Sequence, residues 1–353
     1  MAPHRERHTA VWFVMLRTFG AILLVAAGSA LPGHAGPLLF VGDAASPAQL
    51  EIFNGTTGAF VGQNSISGAL GFPTGVAIGP NGNVYVADQD NSLVDSFNGV
   101  TGAYIGQFIP TGSGAAALFS PSSLLFAPNG DLYVANFGVG NQSYINSYNA
   151  TTGAFISQLI GPTAVPTGGS GSGLDDPNGM ALSPNGTLLY IADSVNGVDV
   201  FNLNTLAFSV LVPLGSGPSL PADLSGPSGI AVGPNGDLYV ADAANGGVVD
   251  VFDPSGNFLG VFGATNSLVQ PIDLVFGPDG NLYVTDASGV EEFNGKTGAS
   301  MGTFIAYNGS DMVNPQYLAF TSPVPEPSTF ALAAIGGLIG WRWRRRRAQP
   351  QGL

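Results

Sequence analysis

The chain has 353 residues and a formal net charge of −14, and it contains no cysteine. It therefore has neither disulfide bonds nor thiolate metal sites. Between residues 36 and 323 there are 21 acidic residues, no histidine and a single basic residue, Lys296, so this body carries a formal charge of −20. Nucleic-acid binding depends on lysine and arginine, and the composition therefore argues against a nucleic-acid partner.

The N-terminal segment has the layout of a secretory signal peptide. Arginines precede an apolar run over residues 19–27, and small residues follow as far as Ala35. This order predicts a signal peptide over residues 1–35, removed after Ala35 or after Ala30. An uncleaved membrane anchor is the alternative, but the apolar run is shorter than the ~20 residues that a span needs.

A repeated unit fills the body of the chain. Each copy contains a lead rich in proline and glycine, an apolar strand, a turn of the Pro-Asn-Gly type, and a second apolar strand that ends in Asp or Asn. The turn prolines are Pro80, Pro128, Pro184, Pro234 and Pro278. Proline fits the second position of a tight turn and glycine accepts the left-handed conformation that ends it, so each turn predicts a β-hairpin.

The strands that follow these turns are nearly continuous apolar runs, as in 84–87 and 238–241. Such runs indicate strands that are buried on both faces, as in sheets stacked face to face. A third strand ends in Phe or Tyr followed by Asn or Asp, and a fourth strand comes after a turn often written Thr-Gly. Each unit is therefore predicted to be a four-stranded antiparallel meander.

The sixth copy of the unit is divided between the two ends of the body. Residues 39–43 match a second strand and residues 51–60 match a third and fourth strand, whereas the missing first strand occurs at residues 315–320. Pairing between these ends would close a ring and remove exposed sheet edges. The sequence thus predicts an all-β, six-bladed β-propeller over residues 36–323, with about 48 residues in each blade.

The unit resembles the NHL repeat of six-bladed propellers, most clearly from Pro227 to Asp253, where the sequences PSGIAV, GDLYVAD and VFD occur. It departs from that repeat after the second strand, where NHL repeats usually carry Asn-His-Arg. Here residues 91–93 are Asn-Ser-Leu and residues 245–247 are Asn-Gly-Gly. The RNA binding known among NHL proteins is therefore not implied.

Six residues end the predicted second strands, on the same face of the ring as the long loops at 110–118, 161–176 and 213–224. These channel-face candidates are Asp43, Asp88, Asn136, Asp193, Asp242 and Asp286. A ring of carboxylates could coordinate calcium, which takes six to eight oxygen ligands, and Asp88 with Asp90 lies in the densest acidic cluster. Alternatively, these side chains bond to neighbouring backbone amides and shape the turns. No catalytic residue is predicted.

The C-terminal segment has three parts: a short motif with two prolines, an apolar stretch over residues 329–341, and an arginine cluster. The motif consists of Val324, Pro325, Glu326, Pro327 and Ser328, and the cluster of Arg342, Arg344, Arg345, Arg346 and Arg347. Positive charge beside an apolar segment stays on the cytoplasmic side, so the arginines are predicted to act as a membrane stop and residues 348–353 as a cytoplasmic tail.

Residues 324–347 resemble the PEP-CTERM sorting signal, through the proline-glutamate-proline motif, the apolar stretch and the arginine-rich end. The resemblance implies export in a Gram-negative bacterium and transient insertion into the inner membrane through a short transmembrane segment. It also implies cleavage near residues 325–327 by exosortase, and a final place at the cell surface or outside the cell. Such proteins usually accompany exopolysaccharide production.

Two functions remain open from the sequence. The first is a non-catalytic binding or scaffold module that contacts exopolysaccharide or an envelope protein through the long-loop face. The second is a secreted calcium-dependent hydrolase or lyase that resembles gluconolactonase-like propellers, with a carboxylate as base and the metal as Lewis acid. The body has no histidine, cysteine or arginine, and this composition favours the first.

Overall fold

The computed structural model describes residues 36–64, 70–112, 114–138, 143–164, 173–215, 224–244, 247–263, 268–309 and 312–322. These residues form 24 β-strands in six four-stranded antiparallel sheets, and one short 3-10 helix at Gly114–Ala116. The predicted signal peptide and sorting tail lie outside the described residues. Within the ranges just given, no helix has the length and apolar character needed to cross a membrane.

The sheets are the six blades of a propeller, as predicted. Blade 1 contains β24 (Pro315–Phe320), β1 (Leu38–Asp43), β2 (Gln49–Asn54) and β3 (Phe60–Gln63). Blade 2 contains β4 (Pro73–Ile78), β5 (Val84–Asp88), β6 (Leu93–Phe97) and β7 (Tyr104–Ile109), and blade 3 contains β8 (Pro121–Phe126), β9 (Asp131–Asn136), β10 (Tyr144–Asn149) and β11 (Phe155–Ile160). Blade 4 contains β12 (Pro177–Leu182), β13 (Leu188–Asp193), β14 (Gly197–Asn202) and β15 (Phe208–Pro213). Blade 5 contains β16 (Pro227–Val232), β17 (Leu238–Asp242), β18 (Val248–Phe252) and β19 (Phe258–Phe262), and blade 6 contains β20 (Asp273–Phe276), β21 (Leu282–Asp286), β22 (Gly289–Phe293) and β23 (Ser300–Ala306).

Blade 1 is assembled from both ends of the body. Strand β24 pairs antiparallel with β1, with Leu318 opposite Val41 and Phe320 opposite Leu39. The next residue, Thr321, donates its N–H to the carbonyl of Leu38 at 2.9 Å and accepts the N–H of Leu38 on its side-chain oxygen at 2.9 Å. The predicted closure of the ring by the C-terminal strand is confirmed.

The hairpin between the first and second strands of a blade turns on glycine. The glycines of the five predicted turns have φ angles between 68 and 90°, a region that is strained for residues with a side chain. They are Gly82, Gly130, Gly186, Gly236 and Gly280. Glycine therefore allows the tight reversal, and the strands on either side pair directly, with Ile78 opposite Val84 in blade 2.

The core lies between neighbouring blades. Six apolar clusters each combine side chains from two adjacent blades, so every blade is covered on both faces. In blade 2, the ring of Tyr85 packs edge-on against Phe108 of the same blade and Phe126 of blade 3, with centroids 4.6 and 4.9 Å apart. This two-sided burial explains why the second strands are continuously apolar.

Candidate functional site

The two ends of the propeller carry different connections. One end, called the loop face here, carries the connections from each fourth strand to the next first strand and the turns between second and third strands. The other end, called the turn face, carries the hairpins between first and second and between third and fourth strands. All six predicted channel-face residues end their second strands at the loop face.

These six residues are buried, at 0 or 1% exposure, and each accepts a backbone N–H from the connection that precedes its blade. The donors are Val313 to Asp43 (2.7 Å), Gly71 to Asp88 (2.8 Å), Phe119 to Asn136 (3.2 Å), Asp175 to Asp193 (2.9 Å), Ser225 to Asp242 (2.9 Å) and Val269 to Asp286 (2.8 Å). Each side chain therefore fixes the loop that leads into its own blade.

Most of these carboxylates also hold the turn that follows them. Asp193 accepts the N–H groups of Val195 and Asn196 at 2.9 and 3.0 Å, and Asp286 accepts the N–H and the hydroxyl of Ser288 at 2.7 and 2.6 Å. Amide donors stabilise a buried carboxylate without a basic partner. The geometry fits the interpretation that these residues shape turns.

The calcium site suggested at Asp88 and Asp90 stays a prediction. Asp88 is buried and accepts both the N–H and the side-chain amide of Asn91, at 3.2 and 2.8 Å, whereas Asp90 is exposed. In the part of the chain that the structure describes, no three acidic or histidine side chains are arranged to hold a metal ion.

The central channel is lined by the six first strands, and four side-chain hydroxyl groups near the loop face, three on first strands and one on the second strand β21, bond to the neighbouring blade. The donors and carbonyl acceptors are Thr74 to Pro121 (2.6 Å), Ser122 to Pro177 (2.5 Å), Ser228 to Pro271 (2.9 Å) and Thr285 to Gln316 (2.6 Å). Each bond joins one blade to the next. These four bonds hold neighbouring blades together at the loop face.

Tyr317 crosses the channel axis at this end. It belongs to blade 1, and its hydroxyl donates to the carbonyl oxygen of Asn178 in blade 4, on the opposite side of the ring, at 2.7 Å. Glycine occupies the corresponding position in blades 2, 4 and 5, and a Cβ atom on Gly229 would lie 2.7 Å from the Cα atom of Asp273. The glycines thus allow close packing of the strands, and Tyr317 closes the channel at the loop face.

Asp273 occupies the corresponding position in blade 6 and is a carboxyl group inside the channel. One of its oxygens accepts the N–H of Leu318 at 3.2 Å. Desolvation raises the pKa of Asp273 to about 7, although backbone hydrogen bonds from Leu318 and Leu274 oppose the shift. Neither Asp273 nor Tyr317 was predicted from the sequence as a site residue. Aligning the residue two positions after the proline that leads each first strand would have revealed them, because the other four copies have only glycine or serine there.

A second ring of buried polar side chains lies in the middle of the third strands, and the sequence analysis missed this ring as well. Its members are Glu51, Asp95, Asn146, Asp199, Asp250 and Glu291, all at most 6% exposed. Burial raises the pKa of Asp199 to about 8, with a further contribution from the charge of Asp193. Burial also raises the pKa of Asp95 to about 6, against the hydrogen bond that it accepts from the Tyr104 hydroxyl at 3.0 Å.

Comparison with known protein families gives three matches. The SMP-30/gluconolactonase/LRE-like region matches residues 124–288, the NHL repeat matches residues 70–94, and the PEP-CTERM protein-sorting motif matches residues 323–347. The sorting motif is a substrate signal for exosortase and implies export across the inner membrane with surface association. No curated protein matches the chain.

Solved structures with the same fold include very different proteins. A chain of a nidogen/laminin complex is 16% identical, with a TM-score of 0.61, and the match covers 82% of this chain and 98% of that one. A protein of unknown function from Bacteroides caccae is 15% identical, with a TM-score of 0.59 and coverages of 81 and 99%. A putative 6-phosphogluconolactonase from Bacteroides fragilis is 15% identical, with a TM-score of 0.55 and coverages of 82 and 98%.

At such low identity these structural matches concern the fold alone, and they agree with the sheet topology. The family matches add the repeat type and the sorting motif. The chain is therefore a six-bladed β-propeller that contains an NHL repeat and ends in a PEP-CTERM protein-sorting motif.

Proposed function

We propose that the protein is a non-catalytic binding module of the cell surface or extracellular matrix, and that it contacts exopolysaccharide or an envelope protein through the loop face. The occupation of the strand-end carboxylates by backbone amides carries this proposal. An acid or base at an active site must reach its substrate, whereas these groups are buried and hold loops in place. The described ends of these loops are held in place, and preorganisation favours binding.

Exposed apolar side chains on the loop face give further support. Phe119, Val195, Val269 and Val313 all lie in loops at this end and are between 37 and 53% exposed. Two of them precede residues with left-handed backbone, Ser120 at a φ of 46° and Gln270 at a φ of 55°. Such strained positions occur preferentially at binding and active sites, and exposed apolar groups favour contact with a partner.

Binding of the purified exported protein to the exopolysaccharide of its own bacterium tests this proposal. We expect Phe119→Ser to weaken binding about tenfold, equivalent to ~1.4 kcal/mol, because the aromatic ring would no longer contact the partner. Leu259→Ser is the matched control, since Leu259 is at least as exposed as Phe119 but lies on the outer strand β19. Equal losses for both variants, or no binding by the wild type to polysaccharide or to envelope proteins, would contradict the proposal.

The final location is tested separately. Deletion of residues 324–347 should remove the protein from the surface fraction, because it removes the signal for exosortase. Deletion of residues 348–353, which lie beyond the matched motif, should leave the surface fraction unchanged. If the protein stayed in the surface fraction without residues 324–347, this part of the proposal would be wrong.

A secreted hydrolase or lyase is the second candidate, and two observations favour it: the SMP-30/gluconolactonase/LRE-like match over residues 124–288, and the Asp273 carboxyl inside the channel. Hydrolysis of sugar lactones by the purified protein, with and without added calcium, distinguishes the two functions. Turnover that Asp273→Asn abolishes would establish the enzyme, and the absence of turnover beside measurable polysaccharide binding would favour the binding module.

A further inference from the structure

The channel contains a cavity of about 430 Å³ that is separate from the loop face. At the loop face the first strands are buried and Tyr317 closes the axis, whereas at the turn face their last residues, such as Ile78 and Phe126, are partly exposed. The cavity therefore opens toward the turn face. Its volume lies within the range of small-molecule binding pockets, about 300–1,000 Å³.

Polar and apolar atoms contribute almost equally to the surface of this cavity, and side chains of all six blades form an apolar wall. Equivalent residues in the middle of the six first strands supply it: Val76, Leu124, Met180, Ile230, Leu274 and Leu318. All six are buried within the propeller, at no more than 8% exposure. A hydrocarbon chain in this space would bury part of its surface against these side chains, which is favourable in proportion to the area buried.

The closed end of the cavity is polar and holds a single acidic residue. Among the described residues that line it, Asp273 is the one acidic group and no basic residue is present. The Tyr317 hydroxyl is engaged with the carbonyl of Asn178, and the backbone N–H groups of Leu318 and Leu274 donate to Asp273. A carboxylate accepts up to about four hydrogen bonds, so Asp273 retains the capacity to accept one from a ligand.

We propose that this cavity binds a small amphiphile with a protonated amine headgroup, the amine on Asp273 and the hydrocarbon chain along the apolar wall. A charged hydrogen bond to a carboxylate is stronger than a neutral one, which favours an amine over an alcohol. The formal charge of −20 on the body also concentrates cations near the protein and repels carboxylates. This site lies on the opposite side of Tyr317 from the loop face and does not depend on the function proposed above.

Protonation of Asp273 would compete with the amine, since a neutral carboxyl group does not attract a cation. Two groups of β24 lie near Asp273: the side chain of Tyr317 and the N–H of Leu318. The charge of Asp176 acts on Tyr317 as well. Because burial raises the pKa of Asp273 to about 7, this group is mostly protonated at pH 5.5 and mostly ionised at pH 8. Amine affinity should therefore be higher at pH 8.

Calorimetric titration of the purified protein with n-butylamine, n-hexylamine, n-hexanol and hexanoate tests the proposal. We expect hexylamine to bind most tightly and hexanoate not to bind. Affinity should rise about fourfold with each added methylene until the cavity is full. Equal affinity for hexylamine and hexanol, or amine binding that does not change with chain length, would overturn it, because the second result would mean attraction to surface charge alone.

Two variants locate the site. Asp273→Asn keeps the shape of the side chain and should weaken hexylamine binding at least tenfold while leaving hexanol binding unchanged. Asp279→Asn is the control, because Asp279 is an exposed acid at the turn face, and it should change neither hexylamine nor hexanol binding. Met180→Phe fills part of the cavity and should weaken hexylamine and hexanol binding alike. Hexylamine affinity that stays at the wild-type value in Asp273→Asn would refute the assignment of the headgroup. Phe119→Ser should leave amine binding unchanged, so failure here is distinguishable from failure of the proposed function.

Discussion

Asparagine residues at the ends of the third strands set the geometry of the outer hairpins. In five blades such an asparagine accepts the N–H groups of the residues two and three positions later, as Asn98 does from Val100 and Thr101 at 3.0 and 2.8 Å. The residue four positions later adopts a left-handed backbone. Glycine fills that position in four blades, at Gly58, Gly102, Gly153 and Gly298, but blade 4 has Leu206 at a φ of 59°.

Leu206→Gly should stabilise the protein. A left-handed conformation costs a residue with a side chain about 1–2 kcal/mol, and glycine avoids this cost. Glycine also gives the unfolded chain more conformational freedom, which lowers stability by about 0.5–1 kcal/mol. Leu206 is 66% exposed, so little packing is lost. We expect a net gain of roughly 0.5 kcal/mol in denaturant unfolding. Leu259→Gly, at an exposed position in strand β19, should instead destabilise by about 1 kcal/mol, and a loss of stability in Leu206→Gly would show that backbone strain is not relieved there.

The elements differ in how much of their structure could be predicted from the sequence. The hairpins and the ring closure were predictable because they depend on local proline and glycine placement and on a repeat that is visible in the chain. The polar ring in the third strands was not, because one polar residue in a strand, such as Asp199, looks like a residue on a solvent-facing side. Its burial depends on the packing of the neighbouring blade and on loops at the loop face, which the strand's own sequence does not reveal.

The same limit applies to the candidate site. The repeat predicts that Asp43, Asp88 and the other strand-end residues lie at one face, because strand order fixes the end at which a strand finishes. The alternative that these side chains bond to backbone amides was also considered, but the individual donors could not be named, since those amides belong to loops of variable length. Sequence reasoning did not identify Tyr317 as the residue that crosses the channel, because that role depends on small residues in the blades opposite.

The third strands provide a matched pair of variants for a test of pH dependence. The pKa of Asp199 is raised to about 8 in the folded protein, above an unfolded value near 4, so its stabilising contribution is full below pH ~4 and is lost as the pH rises toward 8. Asparagine mimics the protonated acid. Asp199→Asn should therefore match the wild type near pH 4 and exceed its free energy of unfolding at pH 8 by on the order of 3 kcal/mol.

Blade 3 supplies the reverse experiment, because Asn146 occupies the same position there and is fully buried. Asn146→Asp should add a new loss of stability between pH 4 and pH 8. Denaturant unfolding of both variants across this range measures the effect. If Asp199→Asn gave the same difference from the wild type at every pH, titration of this buried carboxyl group would not be its cause.

The whole molecule depends on one closure, in which blade 1 joins segments that are more than 270 residues apart. Asp43 contributes directly to this junction. It accepts the N–H groups of Val313 and Asn314 at 2.7 and 2.8 Å, and it also accepts the N–H of Ala45 at 2.9 Å. A single side chain at the end of β1 therefore holds the loop that leads into β24.

Asp43→Ala should weaken the closure of the ring. Three buried or partly buried amide groups would lose their acceptor, and each charged hydrogen bond contributes about 1.5–3 kcal/mol, although such contributions are not additive. We expect a total loss of about 3 kcal/mol in the free energy of unfolding, together with faster hydrogen exchange at the amides of β24. Asp90→Ala, at an exposed loop-face residue, should change stability by less than about 0.5 kcal/mol. Protection of the β24 amides that survives Asp43→Ala unchanged would mean that the strand pairing alone keeps the propeller closed.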